Sequence, residues 1–275
     1  MLEQIHTFLT STPFYDWRII LILIGVGTFV GFVNTIAGLA TAISYGLFML
    51  LGLPINVANG TTRVGVLAQF ITTSFIFKKK GYLDISKGWR VGVLISIGAV
   101  FGAFLAAILS TGITEVVMAI LLPIMSIFLF IDKDKVRGWF VKGEEEGENA
   151  AAEQKIFPWW KCLIFCLIGI YGGFTHSGVG LLIIFGSYFL LSLDMLRANG
   201  IKQFAVAIYT PLALAVFIIA GQVHWGIALI YAVGHIIGGI IGSYASIKGG
   251  EKLIKVFIAA VIFIMSGVLI AKQFR

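Results

Sequence analysis

The chain is short of charge, of cysteine and of acids in its apolar runs, and each shortage narrows what it can be. Charged residues make up 12% of it against 59% hydrophobic, and the mean hydropathy is +1.01. A soluble globular domain is excluded, because that much apolar surface exceeds what one water-bounded core can hide and a bilayer is the natural solvent. Only two cysteines occur, Cys162 and Cys166, four apart on one helical turn. They lack zinc-site spacing and read as packing residues. Residues 1–18 lack the basic start and small-residue cleavage site of a signal peptide, so no cleaved leader is expected. The apolar runs do not alternate, which argues against a β-barrel.

The most informative shortage is of acids. All 13 Asp and Glu fall in loops, tails or the first turn of a segment, with Asp84, Glu115, Asp194 and Glu251 closest to the apolar runs. A cation or proton carrier needs an intramembrane carboxylate to hold its cargo, so the pattern turns away from cation transport. The net charge of +7 does not point to nucleic acid, since the bases sit between apolar runs where the positive-inside rule accounts for them.

What is present is a set of apolar runs approaching the ~20 residues that span a bilayer as helix, with 33 glycines that let such helices pack closely. The expected class is an all-α polytopic membrane protein. A lead-in, 1–16, precedes a first membrane repeat, 17–131, with segments A (17–34), B (40–53), C (61–77), D (89–109) and E (113–131). A hydrophilic linker, 132–157, carries Lys133, Lys135, Arg137 and Glu144 to Glu146 and suits a flexible connector. A second repeat, 158–272, gives A′ (159–174), B′ (178–193), C′ (201–220), D′ (225–247) and E′ (253–271).

The halves correspond residue by residue when 31–130 is laid on 171–270 without a gap. Gly38 falls on Gly178, Gly60 on Gly200, Gly81 on Gly221, Gly98 on Gly238, and Ile124-Met125-Ser126 on Ile264-Met265-Ser266. Placing Lys78, Lys79, Lys80, Lys87 and Arg90 in the cytoplasm, and letting each half cross an odd number of times, puts nearly every base inside. Arg18, Arg63, Lys272 and Arg275 are the exceptions. This predicts inverted-topology repeats of about five segments each, with both termini extracytoplasmic. Segment B is too short to span comfortably, so A and B form either two crossings or a re-entrant pair. Short segments at matching places in inverted halves point to a transport site.

The candidate residues cluster at those places. Asn34 and Thr35, and Thr175, His176 and Ser177, precede B and B′, where a helix start would offer N–H groups and a positive dipole end to an anion. The plainer reading is that Asn34, Thr35 and Thr175 cap helices and His176 is a satisfied buried histidine. Asn59, Thr62 and Arg63 open segment C, and Asn199, Lys202 and Gln203 open C′. Arg63 and Lys202 are the bases placed to enter the membrane, and the amide recurs at Asn59 and Asn199. The alternative is a cap plus a snorkelling base, and the discriminator is pairing: an interior base without a carboxylate wants an anionic ligand. Gln69, Tyr209 and Thr210 could line the C/C′ interface, while His224 and His235 read as loop and packing residues. The sequence carries no nucleotide-binding loop, catalytic triad or metal cluster. Neither enzyme activity nor a cofactor is expected.

Taken as an ordered and duplicated set, the motifs resemble the TauE/SafE family, also called the sulfite exporter family. They are Gly31-Phe32 with Ala37-Gly38, Gly52-Leu53-Pro54, Ala58-Asn59-Gly60-Thr61 and Gly81-Tyr82-Leu83-Asp84. In the second half they are Tyr171-Gly172-Gly173-Phe174 with Gly178-Val179-Gly180, Ala198-Asn199-Gly200-Ile201-Lys202 and Gly221-Gln222-Val223-His224-Trp225. The resemblance covers nearly all of 25–271. One departure is Gly38-Leu39-Ala40-Thr41, where the family usually runs on in glycine. The resemblance implies a secondary transporter, chiefly an exporter, of small sulfur-containing anions such as sulfite or organosulfonates in a bacterial-type plasma membrane. The expected partners are that anion, the lipid bilayer and, as an option, a second copy in a homodimer, with no nucleic acid. A carrier of other small anions such as carboxylates, and a non-transporting scaffold working through the linker, are the alternatives.

Overall fold

Acids that keep out of the apolar runs begin the helices instead. Asp16, Asp84 and Asp194 each sit at an N-cap and accept a backbone hydrogen bond, from Arg18, Lys87 and Arg197 at 2.8, 3.0 and 2.9 Å. The computed structural model describes residues 13–110 and 158–273, with side chains through Ile258. Segment E, the linker and most of the lead-in lie outside the described residues. Eight helices and no strand are found among the described residues. They are α1 (Trp17–Ile36), α2 (Thr41–Leu50), α3 (Ile55–Lys79) and α4 (Ile85–Ile108), then α5 (Trp159–Phe174), α6 (Val179–Leu190), α7 (Met195–Ile219) and α8 (Trp225–Gln273). A non-helical Gly250 breaks α8, at the expected division between D′ and E′.

The bundle is dressed for lipid. Phe29, Phe75, Ile97, Phe104 and Leu229 are more than half exposed, while Asn59, Arg63, Gln69, Lys202 and His235 are fully buried. Four helices, α1, α4, α7 and the 225–258 part of α8, are long and apolar enough to cross a membrane. The short helices α2 and α6, of 10 and 12 residues, reach only about 15–18 Å.

Glycines set the tertiary contacts. A Cβ on Gly27 would lie 2.8 Å from the Tyr231 carbonyl oxygen, and one on Gly31 2.6 Å from that of His235, so α1 and α8 climb together in parallel. Gly98 and Gly102 bring α4 against Cys166 and Ile170 of α5 in the same parallel sense. In contrast, α3 and α7 run antiparallel: Phe70 faces Lys202 and Thr73 bonds Gln203, whereas Arg63 faces Phe217. The turns after α3 and α7 match, each with a left-handed glycine, Gly81 (φ 79°) and Gly221 (φ 69°), closing the helix end.

Two expectations change. Helices α3 and α7 begin at Ile55 and Met195, about a turn and a half before the expected starts, so Asn59 and Asn199 are internal to helices and cap nothing. The gapless superposition also fails at one place. Between the end of α1 and the left-handed Gly38 stands only Ala37; between the end of α5 and the left-handed Gly178 stand Thr175, His176 and Ser177. The second turn is longer by two residues, and His176 lies in the extra stretch.

Candidate substrate site

The two turns meet at the centre. A Cβ on Gly38 would lie 2.7 Å from the Gly180 Cα, and one on Gly180 3.1 Å from the Lys202 Cδ. Neither α2 nor α6 has a side chain capping its start. The helix ends that reach the bases are those of α1 and α5, and they present carbonyls. Lys202 Nζ donates to the Asn34 and Thr35 carbonyl oxygens at 2.9 and 2.7 Å. Arg63 Nη2 donates to the Gly172 oxygen at 3.3 Å and to that of Gly173. Asn34 and Thr35 stand just inside the end of α1 as Gly172 and Gly173 do inside the end of α5. Each base therefore crosses to the other half and takes the same pair of carbonyls, at the negative end of a helix dipole.

Neither base snorkels. Both are fully buried, and among the described residues neither is paired with a carboxylate. Lys202 packs over the Phe70 ring and Arg63 over Phe217, at 5.7 and 4.8 Å. The Lys202 ammonium is well supported, because Gln203 Nε2 adds a donor to the Thr35 carbonyl at 3.0 Å and also bonds Asn199 Oδ1, although Asn199 Nδ2 is itself bare. The Arg63 end is not so supported: Nε and Nη1 of the guanidinium are buried without a partner. A guanidinium gives charge-assisted hydrogen bonds to oxyanions, and leaving such donors bare is costly.

The remaining expected residues divide. Asn59 Nδ2 donates to the Phe174 carbonyl at 2.7 Å and Oδ1 accepts from the Tyr45 hydroxyl at 3.2 Å, bracing the Arg63 end. His176 is buried with Nδ1 2.5 Å from the Tyr209 hydroxyl, and lies within electrostatic reach of both Arg63 and Lys202. Thr175 is buried beside Tyr45, and the Ser177 carbonyl accepts from the Tyr171 hydroxyl at 2.6 Å. Asn34 Nδ2 bonds Thr41 Oγ1 at 3.3 Å. Thr62 donates to the Ala58 carbonyl of its own helix at 2.8 Å rather than across to the other half. Residues undervalued from sequence are Tyr45, Gln69 and His235. Gln69 and Tyr209 stand 140 positions apart, which was a usable signal, whereas His235 matches the apolar Ile95 in the first half. Among the described residues no group of His, Cys, Asp and Glu could hold a metal ion.

Two buried bases without carboxylate partners among the described residues make a chemistry suited to a small anion. The family model described as Sulfite exporter TauE/SafE matches residues 23–269. A "Probable membrane transporter protein" of Haemophilus influenzae is 21% identical over 92% of this chain and 94% of its own. "Probable membrane transporter protein ORF9" of Sinorhizobium sp is 23% identical over 82% of each chain, and "Probable membrane transporter protein YfcA" of Escherichia coli K12 is 23% identical over 90% of each. No solved structure matches.

Proposed function

Because this chain belongs to the sulfite exporter TauE/SafE family and is thus a multi-pass membrane transporter, we propose that it exports a small sulfur-containing anion, such as sulfite or an organosulfonate. The observation that carries the proposal is the pair of bare donors, Nε and Nη1 of Arg63, buried with no carboxylate beside them among the described residues. They lie on different edges of the guanidinium, and each offers a charge-assisted hydrogen bond that an oxyanion can accept. Lys202 adds long-range attraction, and His176 and the starts of α2 and α6 complete the surround.

The transport cycle is alternating access between two inverted repeats, 17–131 and 158–272. Support comes from the helix directions. In each half the helix before the left-handed turn runs opposite to the one after it, yet α1 packs parallel to α8 and α4 parallel to α5. Such pairing suits halves related by a two-fold axis in the membrane plane. The matched hooks of Lys202 on α1 and Arg63 on α5 then latch one half to the other, and releasing one while keeping the other opens one side. The plasma membrane, with the linker 132–157 inside and both termini outside, is the location that the base distribution favours.

Reconstitution into vesicles with labelled sulfite, thiosulfate, methanesulfonate and acetate tests this. Efflux of the sulfur anions but not acetate is expected. Efflux of acetate alone would replace the cargo with a carboxylate, and undiminished transport by the Arg63→Ala, Lys202→Ala double variant would overturn the site.

A further inference from the structure

Gln69 and Tyr209 hold matching places on α3 and α7, and each meets a histidine ring nitrogen. His235 Nδ1 lies 2.8 Å from Gln69 Oε1, as His176 Nδ1 lies beside the Tyr209 hydroxyl. The partners differ chemically. A phenol both donates and accepts, so it suits either tautomer of His176; an amide oxygen only accepts. The Gln69 amide is held in one orientation, because its Nε2 donates to the Gly31 carbonyl at 3.1 Å and to Thr35 Oγ1 at 2.8 Å. The Thr35 hydroxyl gives its own hydrogen to the Gly31 carbonyl at 2.8 Å, so it can only accept from Gln69. His235 therefore carries its hydrogen on Nδ1, and in the neutral ring Nε2 is a bare lone pair.

That lone pair is buried and unpartnered, in a residue with no exposed surface. A buried acceptor left without a donor is costly, so the site is shaped for something that brings a hydrogen. The ring packs between helices. From α3 come Gly65, whose Cβ would lie 3.3 Å from the ring, and Gln69; α1 meets the His235 backbone at Gly31. On its own helix Tyr231 packs at 4.6 Å between ring centres, with its hydroxyl bonded to Ser44. The charged or titratable groups beyond these are His176 of the α5–α6 turn, within electrostatic reach, and Arg63 and Lys202 around His176.

We infer that His235 is the proton-binding group of the carrier, taking up a proton on Nε2 as the anion enters and releasing it with the anion. This rests on the anion-site reading above. The proton comes from water on the loading side, forms an Nε2–H bond with the ring lone pair, and returns to water on the far side with no electron transferred. A further positive charge on His235, which Gln69 and Thr35 join to Lys202, is held only while an anion balances it, and this ties the proton to the cargo. The described acids do not compete for the role, since Asp16, Asp84 and Asp194 are occupied at helix starts and Glu251 pairs with Lys255. A dianion accompanied by one proton keeps a net negative charge, so an inside-negative potential still drives it outward.

The test uses the full chain in vesicles loaded with thiosulfate, which does not itself titrate near neutrality, and a pH dye. The wild type is expected to move one proton with each thiosulfate, at a rate that rises as pH falls. His235→Gln should move thiosulfate with no proton and lose the pH dependence. Calorimetry of thiosulfate binding to the wild type, in buffers of different ionisation enthalpy, should show proton uptake, and it decides the matter if the variant does not fold. Thiosulfate moving without protons in the wild type, protons still moving with His235→Gln, or binding without proton uptake each overturn the inference while leaving the anion site standing. If the wild type binds and moves none of the sulfur anions, the anion-site reading falls, and this inference with it.

Discussion

At the end of α1, Lys202 gives hydrogens to the Asn34 and Thr35 carbonyls and Gln203 adds another to Thr35, so the helix end is closed. At the end of α5, Arg63 takes the matching carbonyls with one nitrogen and keeps Nε and Nη1 bare. The turn beyond it is also longer and carries His176. One scaffold thus serves two ends differently. The Lys202 end spends its charge on the protein, while the Arg63 end leaves two charged donors without a protein partner.

The largest effect should come from breaking both ends together. Gly38→Val puts a branched side chain where a Cβ alone would lie 2.7 Å from the Gly180 backbone, on a residue with φ of 74°. Several kcal/mol are lost from overlap and backbone strain combined. The readout is disappearance of the monodisperse peak after detergent extraction, with Gly46→Val, in open space, as the tolerated control.

Separating the ends comes next. Arg63→Gln should weaken thiosulfate binding by about 100-fold, as two charge-assisted hydrogen bonds together supply about 3 kcal/mol. Lys202→Gln should act chiefly on stability, costing about 1–3 kcal/mol through the Asn34 carbonyl left bare while Gln203 keeps that of Thr35. Thermal unfolding with and without thiosulfate distinguishes them, and equal effects on both quantities would erase the distinction. Arg63→Lys sharpens the comparison, keeping charge but not the planar fork, with an expected loss of about tenfold in affinity.

The smallest contrast is between the paired amides. Asn59 bonds the Phe174 carbonyl and Tyr45 across the fold, whereas Asn199 Oδ1 accepts only from Gln203, one turn along its own helix. Asn59→Ala is expected to cost about 1 kcal/mol and Asn199→Ala a few tenths, near the usual value of polar contacts between membrane helices. Chemical denaturation in mixed detergent measures the difference, and a larger loss at Asn199 would count against it.

Much of the helical layout was legible in the sequence, because apolar runs of membrane length have few other solutions. Segment A′ and α5 share the same ends, and the D′–E′ division falls at Gly250. The starts of α3 and α7 were misread because Asn59-Gly60 and Asn199-Gly200 resemble breakers. Within the bundle those glycines serve approach instead: Gly60 lies against the Gln222 carbonyl and Gly200 against that of Tyr82. The candidate site was legible as a set of bases and amides without acids. Its wiring was not, since a base near the start of α3 gives no hint that its acceptors lie more than 100 residues away at the end of α5.

Composition and charge placement alone determined that this chain is a membrane protein, where its apolar segments fall, and that its interior is positive. Those properties depend on sums and periods along the chain. Tertiary structure alone decided that Lys202 is satisfied and Arg63 is not, that Asn59 and Asn199 are unequal, and that Gln69 leaves His235 with a bare Nε2. Hydrogen-bond partners are assigned by which backbones approach, and here glycine contacts between distant helices set that approach.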